Sequence, residues 1–212
     1  PGDVFLAHFP DPALQYYLRH TAMPIVMQPE APDANQADTE AALSELAQTY
    51  QRIWFVPYLD SVWDRENVVG RWLDYHLLHE ARAQAGDKTL WAFRPLASAT
   101  AVMTPENVTF GDHIRLDGVY VTVGGQPVDL AEPIVTGGET AVTVTLLWES
   151  LAAVPENYTA FVHVLDDSGA LVGQHDGVPL FGTRPTTSWQ PGERLLDRHE
   201  LMLPEGWTGN GR

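Results

Sequence analysis

Short apolar runs alternate with helix-like segments along the first half of the chain. Four runs bounded by Pro, Gly or polar residues predict buried strands, at residues 4–7, 24–27, 52–56 and 89–93. Between them, apolar residues at helical spacing predict three helices, over 13–19, from 38 or 39 to 50, and over 67–85. Strands that alternate with helices are typical of a parallel sheet with right-handed crossovers. We therefore predict a small Rossmann-like parallel α/β domain over residues 1–95.

The second half of the chain changes to a two-residue period, which indicates strands with one buried face. Turn signals rich in Gly and Asp separate these segments, as at Asp166-Asp167-Ser168-Gly169. Further strands are expected at 170–174 and 194–203, and residues 96–106 are the expected linker. The alternating apolar positions are Val119, Val121, Val123, Val142, Val144, Leu146, Trp148, Ala160, Val162 and Val164. Strands at this spacing predict a jelly-roll-like β-sandwich over residues 96–212.

The composition supports two folded domains and narrows the range of partners. With 212 residues, 44% of them hydrophobic, the chain has enough apolar material for two small cores, which excludes wholesale disorder. The formal net charge is −16 and Lys88 is the single lysine. We expect no nucleic acid partner, because phosphate neutralisation requires clustered cations. The absence of cysteine excludes disulfides and thiolate chemistry. A start at Pro1 predicts a piece of a longer protein.

The turn after the first predicted strand argues against a nucleotide cofactor. A phosphate site at the carboxyl end of a parallel strand needs glycine and free backbone amides at a helix start. Here the turn is His8-Phe9-Pro10-Asp11-Pro12, in which two prolines remove two amides and glycine is absent. Asp11 and Pro12 instead predict a helix start. We expect neither a dinucleotide nor any other cofactor.

One group of polar residues on the third predicted helix has metal-ligand composition. His76, His79 and Glu80 lie three and four residues apart, which could place two imidazoles near a metal. Their order differs from the His-Glu-x-x-His pattern of zinc hydrolases. We interpret them as boundary groups of an amphipathic helix and predict no metal.

A second group lies on the predicted strands of the sandwich. His163, His175 and Asp176 converge if their strands are neighbours, and a carboxylate that orients an imidazole is a common acid–base or metal arrangement. Neither a nucleophile-elbow motif nor a paired-carboxylate motif accompanies them. Structural hydrogen bonding is the preferred interpretation, and a metal-assisted hydrolase is kept as a third hypothesis.

Aromatic residues supply the candidate glycan-binding site. Seven tryptophans are present, and Trp148 shares the parity of core positions. Trp189 falls in a predicted loop and, with Phe181, Arg184 and Asp176, is the best candidate for stacking on and hydrogen-bonding a sugar. The alternative is that Trp189 plugs the end of the sandwich.

The second half resembles a β-sandwich of bacterial multi-pass membrane glycosyltransferases, the protein-mannosyltransferase-like enzymes that use polyprenyl-phosphate sugars. The first half resembles the soluble segment that follows the last membrane helices of those proteins, where Gly2-Asp3-Val4 opens a strand. These are framework motifs rather than catalytic ones. The segments of the second half that carry the resemblance are 136–139, 142–148, 158–166, 174–179, 182–186, 188–193 and Asp197. The family sandwich continues past Gly206 with a further strand, which residues 207–212 do not match.

The resemblance implies a role without chemistry of its own. In that family a loop between early membrane helices carries the catalytic acid, and no position here matches it, so we predict no catalytic residue. The leading hypothesis is a non-catalytic region at the extracytoplasmic face of the cell membrane, partnered by the enzyme's own membrane-embedded catalytic region and positioning acceptor or glycan. The alternative is a free-standing carbohydrate-binding or adhesion module.

Overall fold

The computed structural model describes residues 2–57, 62–85, 88–129, 133–135, 138–166 and 168–210. The protein is mostly β, with 42% of it in strands and 19% in helices. No helix within these ranges is long and apolar enough to cross a membrane. The chain divides into two compact units, Pro1–Ala99 and Thr100–Arg212.

A mixed five-stranded sheet forms the first unit. Its elements are β1 (Asp3–Ala7), α1 (Pro12–Leu18), β2 (Ile25–Met27), α2 (Gln36–Thr49), β3 (Arg52–Phe55), α3 (Val68–His76), β4 (Leu78–Ala85), β5 (Lys88–Arg94) and α4 (Leu96–Ala99). The strand order is β2-β1-β3-β5-β4. Strand β1 pairs in parallel with β2 and β3, whereas β5 pairs antiparallel with β3 and β4. The sheet therefore joins a crossover-connected part to a hairpin.

Local capping and apolar stripes position the helices of the first unit. The Asp11 carboxylate accepts a hydrogen bond from the Ala13 amide, and Pro12 is the first residue of α1, as predicted. Asn35 caps α2 through the Ala37 amide. Helices α2 and α3 bury their apolar stripes on the sheet. The buried members of this core are Val4, Leu6, Leu43, Leu46, Ile53, Phe55, Val69, Leu73, Leu77 and Phe93.

The predicted helix over 67–85 is wrong beyond His76, and the prediction of an all-parallel sheet is wrong for the fourth predicted strand, since β5 is antiparallel to β3. Residues 78–85 form β4, and Leu77 between them is extended, with φ −122° and ψ 152°. Ala, Gln and Glu favour a helix in this segment, but antiparallel pairing with β5 overrides that propensity. The β2-β1-β3 part is parallel, as predicted. Gly86-Asp87, expected to end the helix, lie outside the described residues.

The second unit is built from strands, as its two-residue period predicts. Its elements are β6 (Thr104–Phe110), β7 (Ile114–Val123), β8 (Gln126–Pro127), β9 (Pro133–Val135), β10 (Thr140–Ser150), β11 (Ala160–Leu165), β12 (Leu171–Gly177), a 3-10 helix (Thr186–Ser188), β13 (Arg194–Leu203) and β14 (Thr208–Asn210). An antiparallel sheet has the order β13-β10-β7-β6, with β8 beside β7. Strands β11 and β12 form a hairpin, and β14 pairs with β9. The expected linker contains α4 and the start of β6.

The core of the second unit lies between strands β13, β10, β7 and β6, which we call the four-stranded sheet, and the β11–β12 hairpin. One side of β10 and of β13 faces this core, and the apolar inner side of β11 packs against it. The hairpin approaches closely at Gly173, where a Cβ atom would lie 3.0 Å from Leu201 Cδ1. The core residues on these strands are Val142, Val144, Leu146, Trp148, Leu195, Leu201 and Leu203, with Ala160, Val162 and Val164 packed against them.

Candidate functional site

The β11–β12 hairpin carries polar residues that the sequence suggested for glycan binding and for a metal-assisted hydrolase. These residues lie on two opposite faces of the hairpin. Its register pairs Phe161 with Asp176 and Val162 with His175. Successive side chains of a strand point to opposite faces. His175 therefore lies with Val162 on the core side, and Asp176 lies with Phe161 on the solvent side. We call these sides the inner face and the outer face of the hairpin.

The outer face combines an exposed aromatic ring with hydrogen-bonding groups. The Phe161 ring is 66% exposed, and its centroid lies 5.0 Å from that of His163. His163 Nε2 lies 3.6 Å from Asp176 Oδ1, and the two side chains are 41% and 46% exposed. Gln174 is the cross-strand partner of His163. This surface can bind a ligand that has an apolar face ringed by polar groups.

A row of three polar side chains runs from the inner face into the core. His175 Nδ1 lies 2.8 Å from His199 Nδ1, and His199 Nε2 lies 2.9 Å from Asp197 Oδ2. Asp197 and His199 are each 1% exposed, and His175 is partly buried. Their burial follows from the alternation of β13, which points Leu195, Asp197, His199 and Leu201 to the same side. We call Asp197, His199 and His175 the buried row.

Asp197 uses both carboxylate oxygens in hydrogen bonds. Oδ1 accepts from the Leu180 amide at 2.8 Å, and Oδ2 accepts from Trp148 Nε1 at 3.3 Å as well as facing His199. A buried carboxylate requires such partners, because burial without them removes its hydration without replacement. Asp197 thus connects β10, β13 and the turn that follows β12.

That turn holds three consecutive residues in the left-handed region. Leu180, Phe181 and Gly182 have φ values of 53°, 56° and 83°. For each of the two non-glycine residues, this conformation lowers the stability of the fold by about 1–3 kcal/mol. The bond from the Leu180 amide to Asp197 holds the turn in place. Phe181 is 47% exposed, with the Arg198 guanidinium carbon 4.9 Å from its ring centroid. The predicted glycan residue Phe181 therefore lies at the surface on a strained support.

The two remaining predicted glycan residues lie together in the loop before β13. Trp189 Nε1 donates to the Arg184 carbonyl oxygen at 3.2 Å, and Arg184 Nη2 donates to Glu193 Oε1 at 2.8 Å. The Trp189 side chain belongs to the buried core and is 2% exposed, which favours the alternative of a plug over stacking on a sugar. Its large apolar surface packs into the core of the second unit. Arg184 and Asp176 stay predictions for glycan contact.

The arrangement required by the metal-assisted hydrolase does not form. His175 lies on the inner face, whereas His163 and Asp176 lie on the outer face. Among the residues that the structure describes, no group of three or more His, Asp or Glu side chains is placed to hold a metal ion. The hypothesis therefore loses the convergence on which it depended.

The other histidine group of the sequence is divided between two elements. His76 ends α3 and stacks on Trp72, with ring centroids 4.6 Å apart. His79 lies on β4, where its Nε2 is 2.6 Å from Asp74 Oδ1. The helical spacing assumed for a metal pair is absent here, because the helix has ended before His79.

Glu80 bridges two arginines and joins three strands of the first unit. Arg52 on β3 donates to it through Nε at 2.6 Å and Nη2 at 2.8 Å, and Arg94 on β5 donates through Nη2. Burial acts to raise the pKa of Glu80, but the hydrogen bonds and charges of Arg52 and Arg94 outweigh it and hold the pKa below its ordinary value. This network stabilises the β3-β5-β4 part of the sheet.

A carboxylate occupies the start of α3, at a place where α/β proteins bind phosphate. Asp64 Oδ1 accepts from the Val68 amide at 2.7 Å, and Oδ2 accepts from the Val69 amide at 2.9 Å. His8, which follows β1, has Nε2 3.6 Å from Asp64 Oδ2, and both residues are buried. Asp64 also lines a cavity of about 280 Å³. A phosphate placed here would meet a negative charge.

The alternation of apolar residues along β13 and β11 indicates the direction of three side chains that were not predicted as site residues. In β13, residues 195, 197, 199, 201 and 203 are all buried, whereas 194, 198, 200 and 202 are exposed or partly exposed, and Leu196 is also buried. The shared parity of Leu195, Leu201 and Leu203 indicates that Asp197 and His199 are inward. In β11, the parity of Ala160 and Val162 places Phe161 outward. The pairing of His175 with His199 depends on how two strands pack, which local sequence does not specify.

Comparisons with known proteins supply no family for the chain, which matches no protein-family model, no curated protein and no solved structure.

Proposed function

We propose that the chain is the non-catalytic extracytoplasmic region of a polytopic membrane glycosyltransferase and that its second unit contacts acceptor or growing glycan. The region would lie over the enzyme's own membrane-embedded catalytic region. The proposal includes the finer description of the first unit as Rossmann-like and of the second as a jelly-roll-like sandwich. The resemblance in sequence supports the membrane assignment, and the outer face of the hairpin supports the glycan contact.

The single observation that carries the glycan contact is the exposed Phe161 ring beside Asp176 and His163. The apolar face of a pyranose ring packs on an aromatic side chain, and carboxylate, imidazole and amide groups bind the hydroxyls around it. Phe161 is 66% exposed, and the Asp176 and Gln174 positions flank it across the hairpin. Isolated exposed aromatics need no function, but here the ring and the polar groups share one face.

The charge of the chain favours a neutral glycan over an acidic one. The formal net charge is −16, and Asp176 adds a carboxylate at the centre of the outer face. A uronic acid or a phosphorylated sugar would meet repulsion at this surface. A neutral hexose or N-acetylhexosamine chain would not.

The first experiment measures binding of the 212-residue chain to immobilised neutral oligosaccharides built from mannose, glucose or N-acetylglucosamine, with uronic acid oligosaccharides alongside. We expect retention on a neutral oligosaccharide, a loss of about tenfold in Phe161→Ala, and no change in Phe110→Ala. Phe110 is a matched control because it is a half-exposed phenylalanine in the same unit but on β6. Retention on no glycan, or equal retention of Phe161→Ala and the wild type, would contradict glycan contact.

A second experiment separates the membrane enzyme from the alternative of a free-standing carbohydrate-binding module. The gene is sequenced upstream of the Pro1 codon, and apolar segments of about 20 residues are counted. Eight or more segments are expected for a polytopic transferase. A signal peptide directly before Pro1 would overturn the membrane assignment and leave the secreted module.

A further inference from the structure

We propose that the buried row is an acid-sensitive latch that holds the β11–β12 hairpin against the four-stranded sheet. His175 comes from β12 and His199 from β13, so the 2.8 Å contact between their Nδ1 atoms joins the two layers of the second unit. The inference concerns the motion of the hairpin and holds whether or not the outer face binds glycan.

The direction of the hydrogen bonds limits where protons can be. Two nitrogens 2.8 Å apart need one N–H and one lone pair between them. His199 Nε2 faces the Asp197 carboxylate at 2.9 Å, so its proton belongs on Nε2. A neutral His199 therefore has a bare Nδ1, which accepts from the Nδ1–H group of His175. In this state His175 Nε2 is the free lone pair of the row.

The closed row accepts one additional proton but not two. The first proton binds His175 Nε2 and leaves both hydrogen bonds intact, with one imidazolium to balance the Asp197 carboxylate. A second proton must bind His199 Nδ1, where it would face the His175 N–H group. The two rings, with centroids 5.0 Å apart, would then both be cationic. The hydrogen bond between the layers would be lost, and like charges would repel in a low dielectric.

The groups that surround the buried row do not change the number of protons that the closed row can bind. Strand β10 contributes the Trp148 indole and the turn after β12 contributes the Leu180 amide, and both donate to Asp197. The outer pair His163 and Asp176 lies on the opposite face of the hairpin. Arg198 and Glu200 lie on the opposite face of β13. The members of the hydrophobic core on these strands that share the side of the buried row are Val142, Val144, Leu146, Ala160, Val162, Val164, Leu195, Leu201 and Leu203, and Gly173 approaches them closely.

Acid should therefore favour detachment of the hairpin. An opened hairpin can bind one more proton than the closed one, because His175 and His199 can then each be doubly protonated. By linkage, a state that binds more protons becomes more populated as the pH falls. Imidazoles take up protons in the range between about pH 8 and pH 5. The hairpin should open as the pH falls below neutral, while the four-stranded sheet remains intact.

Amide hydrogen exchange on the 212-residue chain tests the latch at about pH 7.5 and about pH 5, after correction for the intrinsic dependence of exchange on pH. In the wild type we expect protection of β11 and β12 to fall by at least about tenfold in acid relative to β10. His175→Asn should abolish that fall, because an amide can donate to or accept from His199 Nδ1 and does not titrate. His163→Asn, on the outer face of the same hairpin, should keep the wild-type response.

Each outcome decides the proposal. Equal acid responses in His175→Asn and the wild type, or no response in the wild type, would overturn it. If His175→Asn does not fold, nitrogen NMR of the wild-type imidazoles at about pH 7.5 provides the test. The latch requires His199 to be protonated at Nε2 and bare at Nδ1, and a neutral His199 protonated at Nδ1 would overturn it.

Discussion

Two histidine–aspartate pairs occupy the second unit in opposite environments. His199 and Asp197 lie in the core, each with a side chain 2% exposed and a nitrogen–oxygen distance of 2.9 Å. His163 and Asp176 lie on the outer face, 41% and 46% exposed, at 3.6 Å. The residue types are the same, so the comparison isolates the effect of burial. Burial makes the first pair a structural element and leaves the second available to solvent and ligands.

The difference follows from what each group would do without its partner. A solvent-exposed carboxylate or imidazole that loses a neighbour is hydrated instead, so exposed pairs contribute little. A buried carboxylate has no water to replace a lost donor, and its donors have no water to replace the carboxylate. Asp197 satisfies three donors from three different segments, which are Trp148, Leu180 and His199. Its removal should therefore affect the second unit as a whole.

The largest effect is expected from Asp197→Ala. The substitution leaves the Trp148 indole N–H, the Leu180 amide and His199 Nε2 without an acceptor in the core, and it releases the strained turn. We expect a loss of about 3–5 kcal/mol in the free energy of unfolding, measured by urea denaturation and followed by tryptophan fluorescence.

Loss of less than about 1 kcal/mol in Asp197→Ala would show that the buried pair is no more important than a surface pair. The control is Asp166→Ala. Asp166, which follows β11, is also a carboxylate that accepts several hydrogen bonds, from Ser168 and the Ala170 amide, but these are exposed. Its removal should change unfolding much less.

An intermediate effect is expected from Glu80→Gln in the first unit. The variant weakens charge-assisted hydrogen bonds from Arg52 and Arg94, whose side chains are 31% and 11% exposed, and we expect a loss of about 2 kcal/mol at pH 7. Because the pKa of Glu80 is held below its ordinary value in the folded protein, its stabilisation is present above the unfolded carboxyl pKa. It is lost as the pH falls through the lower, folded pKa.

Thermal unfolding between about pH 7 and about pH 3 measures this dependence. The difference in stability between the wild type and Glu80→Gln should be constant near neutrality and should shrink in acid. Glu45→Gln, at an exposed position of α2, should show no such convergence. A difference that grows in acid would contradict the assigned direction.

The alternation of residues along a strand makes the inward direction of the buried pair predictable. The sequence does not show which strands lie next to each other. The alternation of β13 contains the inward direction of Asp197, because Leu195, Leu201 and Leu203 share its parity. The segment 78–85 was included in the helix predicted over 67–85, which was based on residues at helical spacing. Its strand state depends on β5, a non-local partner. His163 and His175 lie on opposite faces of the hairpin because of the register in which β11 pairs with β12, which is also a non-local feature.

Trp189 shows a second limit of sequence analysis at the candidate site. A tryptophan in a loop is equally consistent with a binding surface and with a plug, and the residue types around it do not distinguish the two. The packing favours a plug, since Trp189 belongs to the same buried core as Trp148 and Leu195. The alternation of β11 indicates that Phe161, the exposed aromatic residue of the outer face, points outward. Its neighbours in the sequence are apolar, however, so the segment also resembles a strand that is buried on both faces.

The smallest effect on stability is expected from Asp176→Ala, and this variant gives the sharpest contrast with Asp197→Ala. Asp176 is 46% exposed and lies 3.6 Å from His163, so water can replace its contacts and we expect a change within about 0.5 kcal/mol. If the outer face binds neutral glycan, retention of the 212-residue chain should still fall, because the lost carboxylate would have bound sugar hydroxyls. Measuring urea unfolding and glycan retention on the same preparation separates the two roles. A stability loss above about 1 kcal/mol would show that exposure does not explain the difference between the two pairs, whereas unchanged stability with unchanged retention would place glycan contact elsewhere than Asp176.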